Sequence, residues 1–301
     1  MKFCLESVLA KPASILALAE LICPTLNGPR ARILVDIIES RGKTDSDAED
    51  VDRVLHLALS ELSQERIDWW HDTLGHAPYQ CVDVTDQRYP SNLQLIQDRP
   101  PLLFVRGELC PGDSWSIAIV GSRTAEEDRL GLTREVAAQL TEVGLTVVSG
   151  LAAGVDTVAH EAALATGGRT LAVFGTGISK VFPASNRSLA ARIIEQGAVV
   201  SQFWPDMSAT KWSFPIRNVV TSGLSLGTLV MEAGAQSGTR TQVLAALQHG
   251  RLVFFPRDLV VREPWIHDLL PSTNTVVFED PSEIITVLEA QRELSTTALA
   301  F

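Results

Sequence analysis

The sequence lacks paired cysteine spacings, and this absence excludes two classes of protein. Its 301 residues contain only Cys4, Cys23, Cys81 and Cys110, with no CxxC spacing and no histidine ligand beside any of them. Such scattered thiols support neither a zinc site nor a disulfide framework. We therefore expect free thiols, no metal, and a protein that works in the reducing cytoplasm.

Long apolar runs and an excess of positive charge are absent too. No stretch approaches the roughly 18 uncharged apolar residues of a membrane helix, and charges interrupt the apolar segment at residues 7–26. No small-residue cleavage site follows that segment, so we expect neither a signal peptide nor a membrane partner. The net charge of −11 argues against coating duplex DNA by bulk electrostatics, but it permits a local basic groove.

The pattern of apolar, polar and proline residues divides the chain into three parts. Apolar residues at helical spacing predict a small helical domain over residues 1–75. Residues 76–115 are proline-rich and irregular apart from an extended run at residues 101–107, which predicts a connector with an edge strand. Over residues 116–301, continuous Val/Ile/Leu strands alternate with amphipathic helices. This pattern predicts an α/β domain with a Rossmann-like parallel sheet and helices on both faces.

Glycine and polar residues follow the first two predicted strands of that sheet, where open parallel sheets bind ligands. Gly121, Ser122 and Arg123 combine a close-packing glycine, a hydroxyl and a guanidinium at a helix start, which suits a phosphate. Taken alone, this motif fits an ordinary strand-to-helix turn better. The candidates after the second strand are Ser149, Gly150 and Gly154.

Three ionisable residues are candidates for supporting such a site. Asp156 fits a helix cap and a site-building residue equally well. His160 fits a packed, hydrogen-bonded histidine better than a ligand-binding one. Glu232 stands at a strand end, where we expect it to orient a neighbouring cation such as Arg217.

The later loops bring together cations, aromatic rings and amides. Those candidates are Lys180, Asn186, Lys211, Phe214, Arg217 and Asn218, the last four in a predicted loop over residues 211–218. Aromatic faces for bases and cations for phosphates form the composition of a single-strand binding site. A second anion cradle is predicted at a helix start formed by Ser237, Gly238, Thr239 and Arg240.

Several enzyme classes lack their sequence signatures here. The first strand ends without GxGxxG and without the acidic residue expected about 20 positions later, which argues against a nicotinamide dehydrogenase. No Ser/His/Asp order, metal cluster or paired carboxylates emerge. We therefore predict no catalytic residue and no cofactor.

These motifs resemble those of the DNA-processing protein A (DprA/Smf) family. The resemblance covers roughly residues 80–256 and runs through several motifs in one order. They are DQRYPSNLQLIQDRPPLLFVRGEL (86–109), IAIVGSR (117–123), VVSGLAAGVDTVAHEAAL (147–164), LAVFGTGISKVFPASN (171–186), FPIRN (214–218) and LVMEAGAQSGTRT (229–241).

The resemblance implies an extended Rossmann fold after a helical SAM-like domain. It also implies single-stranded DNA binding, homodimerisation, and loading of a RecA-type recombinase during transformation or recombination. The chain departs from the family pattern at Ala153 and Val219, where the family often has arginine, and at Gln202, where it has an acid. It ends near residue 300, so no C-terminal winged-helix domain is expected.

The departures leave two further hypotheses open. Each lost cation removes a phosphate contact, so this chain would bind DNA more weakly than other members. Under the second hypothesis, such a divergent member serves as the partner or antitoxin of a toxin-like protein in a defence module. A third hypothesis is a nucleotide-binding or nucleotide-hydrolysing protein of similar fold, which fold analogy alone neither supports nor excludes.

Overall fold

A computed structural model describes residues 8–39, 49–234 and 238–298 of the chain. Within these ranges, nine strands form one mixed sheet with helices packed around it. The strands are β1 (Gln80–Asp83), β2 (Leu102–Gly107), β3 (Ser116–Val120), β4 (Thr146–Ser149), β5 (Thr170–Val173), β6 (Ala198–Ser201), β7 (Gly227–Val230), β8 (Leu252–Pro256) and β9 (Thr275–Phe278).

Twelve α-helices lie in the described ranges, in addition to three single-turn 3₁₀ segments. They are α1 (Pro12–Ile22), α2 (Pro29–Glu39), α3 (Glu49–Glu61), α4 (Gln64–His76), α5 (Ser91–Gln94), α6 (Glu127–Glu142), α7 (Val155–Ala165), α8 (Arg187–Gln196), α9 (Ser213–Leu224), α10 (Gly238–Gln248), α11 (Arg257–Arg262) and α12 (Pro281–Ala298).

The strand order is β1-β2-β6-β5-β4-β3-β7-β8-β9. From β6 to β9 every neighbouring pair is parallel, which confirms the predicted Rossmann-like sheet. The predicted edge strand, β2, lies instead one position inside the edge. It pairs antiparallel with β6 on one side and with β1 on the other, where Cys81 lies opposite Phe104. Strand β1 is not predictable from the sequence, because four residues in a polar, proline-rich stretch give too short a pattern.

Alternation of side chains along the strands divides the core between two faces of the sheet. Ile117 and Ile119 of β3 belong to the cluster that α6, α7 and α12 cover. Ala118, between them, faces the opposite cluster, which includes residues of α9 and of the N-terminal helices. Because both faces are covered, the central strands are apolar throughout, as the sequence pattern indicated.

The N-terminal helices pack onto the β1–β2–β6 end of the sheet. Trp70 of α4 stacks on Trp204, with ring centroids 5.6 Å apart, and the indole Nε1 of Trp204 donates to the carbonyl oxygen of Pro24. Arg99 pairs with Glu39 of α2. The two regions therefore share one continuous apolar cluster. That the N-terminal helices and the sheet region are separate folding units stays a prediction.

The chain changes direction across the sheet between β3 and β7. The connection from β3 runs through α6 to β4 on one side, whereas the connection from β7 runs through α10 to β8 on the other. The loops at the two carboxyl ends therefore diverge and leave a crevice. In open α/β sheets, this switch point is where ligands bind.

Candidate nucleic-acid interface

A cleft of about 850 Å³ opens at this switch point, between the loops after β3 and β4 and the helices α9 and α10. Its volume lies within the usual range for ligand sites. Eleven of the residues that the sequence predicted as site residues line it. They are Gly121, Ser122, Arg123, Gly150, Asp156, Lys211, Phe214, Arg217, Asn218, Gly238 and Thr239.

Arg217 places a positive charge in the floor of the cleft. Its Nη1 donates a 2.9 Å hydrogen bond to the carbonyl oxygen of Val173, at the end of β5. The guanidinium lies so close to the α-carbon of Gly150 that a side chain there would overlap it, which explains the glycine. Burial lowers the pKa of Arg217, with Arg123 adding to the effect and Asp156 opposing it. An arginine remains charged even so.

Asp156 builds the loop that carries Gly150. Its Oδ2 accepts hydrogen bonds from the backbone N–H groups of Gly150 at 3.1 Å and Ala152 at 3.3 Å. The side chain therefore folds back onto the loop instead of capping α7, whose N-cap is Gly154. Burial raises the pKa of Asp156, while Arg217 and the two loop amides oppose that rise. Of the two alternatives for this residue, the geometry supports site-building.

His160 lies beneath the cleft without lining it. The side chain is fully buried, and its Nδ1 is 2.7 Å from Oγ1 of Thr170. Because the Thr170 hydroxyl donates to the carbonyl oxygen of Val147, the histidine Nδ1–H is the donor to Thr170. Burial, with Arg217 adding to it, lowers the pKa of His160 to about 3. The residue is a neutral, packed histidine, as the sequence analysis favoured.

One exposed ring, one half-buried ring and two exposed cations line the outer part, or outer wall, of the cleft. The Arg123 guanidinium carbon lies 5.2 Å from the centroid of the Phe214 ring, within the range of a cation–π contact. Phe214 packs over Gly175, where a side chain would overlap the ring. Phe182 lies 5.8 Å from Phe214 between ring centroids and is 50% exposed. Lys211 is exposed on the same wall. Ring faces and cations thus point to solvent together.

Two glycines bring the loops after β3 and β4 together. Gly154 has φ +77°, and a Cβ there would overlap the carbonyl oxygen of Ser122. A side chain at Gly121 would overlap Val155, the first residue of α7. The start of α7 consequently packs directly against the Gly121–Ser122 turn, in a conformation and at a distance that only glycine permits.

Helix α9 corrects the sequence analysis, which predicted a loop over residues 211–218. The helix begins at Ser213 and carries Phe214, Arg217 and Asn218 on its first turns. Pro215 is compatible with a helix there, because the first turn has no internal acceptor for its N–H groups. The Nδ2 of Asn218 donates to Oγ1 of Thr241 at 3.1 Å, which fixes α9 to the start of α10. A rigid helix therefore carries these side chains.

In addition to Gly154, four of the predicted binding residues do not line the cleft. Ser149 donates its hydroxyl to the carbonyl oxygen of Ile119 at 2.6 Å. The amide of Asn186 donates to the carbonyl oxygen of Leu151 at 2.9 Å, so it holds the loop after β4. Lys180 is exposed on the loop after β5, and Arg240 lies over the ring of Trp265, at 5.6 Å. Ser237, predicted in the same cradle as Arg240, lies outside the described residues.

Glu232 does not orient Arg217, and that expectation was wrong. Its Oε2 lies 3.2 Å from Nε of Arg129 and 3.3 Å from Nη2 of Arg262. Arg129, which is almost fully buried, also pairs with Asp258. Glu232 does follow a strand end, as predicted. Its partners were not predictable, because both come from other parts of the chain.

Ten of the residues that line the cleft were not predicted from the sequence as site residues, and two of them, Phe182 and Gln242, bear on its chemistry. Phe182 follows the glycine-rich turn after β5, and an exposed ring beside Lys180 was its only signal. Gln242 stands one turn into α10 and is only 2% exposed, although it lines the cleft. A glutamine in an amphipathic helix gives no sequence signal of this kind.

The described part of the chain contains no group of three or more His, Cys, Asp or Glu residues that could hold a metal ion. In the same part, no helix has both the length and the apolarity to cross a membrane.

Comparison with known proteins identifies the family. The model of the family described as DNA recombination-mediator protein A matches residues 80–286, more than half of the chain. The chain belongs to this family. The match includes every element that lines the cleft and begins at β1, after the N-terminal helices.

Curated relatives carry names from the same family. Protein Smf of Escherichia coli (strain K12) is 41% identical over 201 residues, which are 66% of this chain and 52% of that protein. DNA processing protein DprA of Streptococcus pneumoniae is 37% identical over 189 residues, which are 63% of this chain and 67% of that protein. The alignment thus spans about half the length of the E. coli relative.

Two solved structures share the fold. DNA processing protein A from Streptococcus pneumoniae superposes with a TM-score of 0.75 at 27% identity, over 95% of this chain and 98% of that one. A Helicobacter pylori DNA processing protein A, described for its single-stranded DNA binding mode, gives a TM-score of 0.63 at 23% identity. That superposition covers 72% of this chain and 98% of the H. pylori chain. Because the first superposition covers nearly the whole chain, the N-terminal helices belong to the shared architecture.

Proposed function

We propose that this family member binds single-stranded DNA in the cleft at the switch point. The observation that carries the proposal is the outer wall, where Arg123 and Lys211 stand beside the rings of Phe182 and Phe214. In the described residues, neither cation has a carboxylate partner. Unpaired cations beside exposed ring faces match a strand whose phosphates and unstacked bases are both accessible.

The floor of the cleft completes the electrostatic argument. Arg217 adds a third positive charge, which is hydrogen-bonded to the carbonyl oxygen of Val173 and has the buried Asp156 as a nearby counter-charge without a direct ion pair. Since its guanidinium is already desolvated, an approaching phosphate is attracted more strongly than it would be in water. The net charge of −11 confines this attraction to the cleft and disfavours general coating of duplex DNA.

The biological role that fits this binding is DNA processing in recombination or transformation. The family description refers to DNA recombination and the name of the S. pneumoniae relative refers to DNA processing, and the H. pylori protein is described for its single-stranded DNA binding mode. We propose that the protein acts as a homodimer and loads a RecA-type recombinase onto the strand. A toxin-like protein is the alternative partner, because Ala153 and Val219 stand where the family often has arginine.

We propose further that binding, and not turnover, is the function of the site. Near the cleft, Asp156 is committed to loop amides and Glu232 to two arginines, so neither carboxylate is free to activate water. Incubation with nucleotides and labelled DNA, with and without Mg²⁺, should give no product. Product that disappears in Glu232→Gln would contradict this part of the proposal.

A protein with this role works in the cytoplasm, and cytoplasmic location is part of the proposal. Cys23, Cys81 and Cys110 are free thiols, as expected in a reducing compartment. Location of a fluorescent fusion by microscopy, with cell fractionation beside it, tests this.

Titration of the full chain with single-stranded and duplex DNA of equal length tests the main proposal. We expect tighter binding of the single strand at every salt concentration, with log K falling linearly as log salt rises. Equal affinity for both forms, or binding insensitive to salt, would contradict a site built from cations and ring faces. Nucleation of recombinase filaments on a strand coated with single-strand-binding protein tests the loading role.

A further inference from the structure

Gln242 has an environment that binding of phosphates alone leaves unexplained. Its side chain lines the cleft beside Asn218 and Thr239, yet it is only 2% exposed. Neither its Nε2 nor its Oε1 has a hydrogen-bond partner in the described part of the structure. The neighbouring polar groups are already engaged, since Asn218 donates to Thr241 and Thr241 donates to the carbonyl oxygen of Gly238.

An enclosed amide with both atoms unpaired is rare, because it loses its bonds to water without replacement. Such a group typically destabilises a protein, because its desolvation is not compensated. A hydrophobic residue of the same volume would leave no polar atom unpaired at this position. The position of Gln242 at the wall of a cleft indicates that a ligand supplies the missing partners.

The amide also limits which ligand can do so. Its nitrogen donates and its oxygen accepts, so a ligand that satisfies both must offer an acceptor beside a donor. A phosphate at neutral pH offers acceptors, and a deoxyribose within a strand offers no hydroxyl donor beside them. The edge of a nucleobase offers both groups side by side, and glutamine pairs with such edges in two-bond geometry.

The rest of the cleft fits the same ligand. Arg123 and Lys211 stand at its exposed wall, where a phosphate is reachable from solvent, whereas Gln242 is enclosed. The Phe214 ring lines the same cleft. The cleft of about 850 Å³ falls within the range of small-ligand sites. We propose that Gln242 forms a nucleobase subsite, which binds the edge of one base while its phosphate stays at the outer cations.

This inference deepens the proposed function and rests on it where the base belongs to a DNA strand; a free nucleotide would present the same edge. The experiment uses the full chain in its wild-type, Gln242→Leu and Gln242→Met forms. Gln248→Leu, an exposed glutamine on the same helix, is the matched control. Thermal melts establish that each variant folds.

The first arm measures anisotropy with oligo-dA, oligo-dC, oligo-dT and an abasic oligomer of equal length. We expect the wild type to prefer one base, and Gln242→Leu and Gln242→Met to reduce that preference at least about fivefold, the lower end for a two-bond contact. Binding of the abasic oligomer and its salt dependence should stay unchanged. The second arm measures calorimetric binding of deoxynucleoside monophosphates against deoxyribose 5-phosphate.

Each outcome either supports or refutes the nucleobase subsite. Loss of base preference in the Gln242 variants alone supports the subsite on a DNA strand, and loss of monophosphate binding alone supports a free nucleotide. If the wild type binds single strands without base preference and ignores monophosphates, the subsite is refuted while the proposed function stands. If the wild type binds no single strands but binds monophosphates through Gln242, the proposed function fails and the subsite stands.

Discussion

Two sets of arginines stand at the same carboxyl edge of the sheet and differ in their partners. Near β7 and β8, Arg129 and Arg262 share Glu232 and Asp258, so two positive charges meet two negative ones. Near β3 to β5, Arg123 and Arg217 make no direct ion pair within the described ranges, and the carboxylate that acts on Arg217 is the buried Asp156, which is bonded to loop amides. The first set is a closed network, and the second is open towards the cleft.

Whether an arginine has a carboxylate partner distinguishes structural from DNA-binding cations more reliably than the number of cations does. A paired guanidinium has its charge cancelled within a few ångströms, and salt screens what remains beyond about 10 Å at 0.1 M ionic strength. An unpaired one keeps its field for a ligand. The comparison therefore predicts that removal of cations from one set changes DNA affinity and removal from the other does not.

The largest effect is expected from the double variant Arg123→Ala, Arg217→Ala. Single-stranded DNA affinity should fall by about 100-fold or more at low salt. The slope of log K against log salt should flatten by about 1.4, since each phosphate contact on a single strand contributes about 0.7. Anisotropy titration at several salt concentrations measures both quantities.

The matched control removes two paired cations, in Arg257→Ala, Arg262→Ala. Arg257 pairs with Glu279 and Arg262 with Glu232. We expect its affinity to stay within about twofold of the wild type, because those charges are already cancelled. If both double variants lost affinity equally, pairing would not distinguish the two sets.

A smaller loss is expected from Phe214→Ala. The ring supports the Arg123 guanidinium at 5.2 Å and offers a face to a base. Loss of one base–aromatic stack typically weakens binding by about 1–3 kcal/mol, so affinity should fall by about tenfold while the salt slope stays unchanged. Phe203→Leu, a buried ring outside the cleft, serves as the control for altered packing. A changed salt slope in Phe214→Ala would mean that the ring acts through Arg123 alone.

Helices and strands were predictable from the sequence where the spacing of apolar residues is regular over enough positions. Apolar strands such as β3 and β8 and the helix at Val155–Ala165 are periodic over enough residues to be recognised. Short or atypical elements were not: β1 has four residues, and α9 begins with an aromatic, a proline and an arginine that together suggest a loop.

Site residues were predictable where they directly follow a strand. They were not predictable where their role depends on a contact with a residue distant in the sequence. The topology alone placed Arg123 and Gly150 together. By contrast, the pairing of Glu232 with Arg129 joins residues about a hundred positions apart, and no local pattern encodes it. Gln242 was missed for the same reason: its significance lies in partners that are absent, which a sequence does not display.

A modest gain is expected when the closed network is opened. In Glu232→Gln, Asp258→Asn, the charges of Arg129 and Arg262 would no longer be cancelled. Single-strand affinity should rise by about two- to fivefold at low salt, and the gain should vanish at high salt. Because Arg129 is nearly buried, the melting temperature should fall as well. An unchanged affinity in a folded variant would mean that the network lies beyond the reach of the strand.

Removal of residues 1–76 should change affinity by less than about twofold, because both cation sets remain. We propose that the sheet region folds cooperatively without the helices. Its melting temperature should fall, since Trp204 loses its stack with Trp70 and its hydrogen bond to Pro24. Calorimetry and single-strand titration of the shortened chain test this. An insoluble or molten product would show that the shared apolar cluster makes the two regions one folding unit.

No effect on DNA affinity at pH 7.5 is expected from His160→Gln, because His160 lies below the cleft and is neutral. Its effect is on stability at acid pH. Burial lowers the pKa of His160 from 6.5 to about 3, so the folded state resists a proton that the unfolded chain accepts. The stabilisation is therefore complete above pH 6.5 and is lost as pH falls from 6.5 towards 3. At pH 5 the loss amounts to about 2 kcal/mol, at 1.36 kcal/mol for each pH unit. Denaturant unfolding at pH 7.5, 6 and 5 should show this loss of stability in the wild type and in His71→Gln, an exposed control, but not in His160→Gln. Parallel pH profiles of the free energy of unfolding for the wild type and His160→Gln would mean that the imidazole of His160 titrates as it does in water.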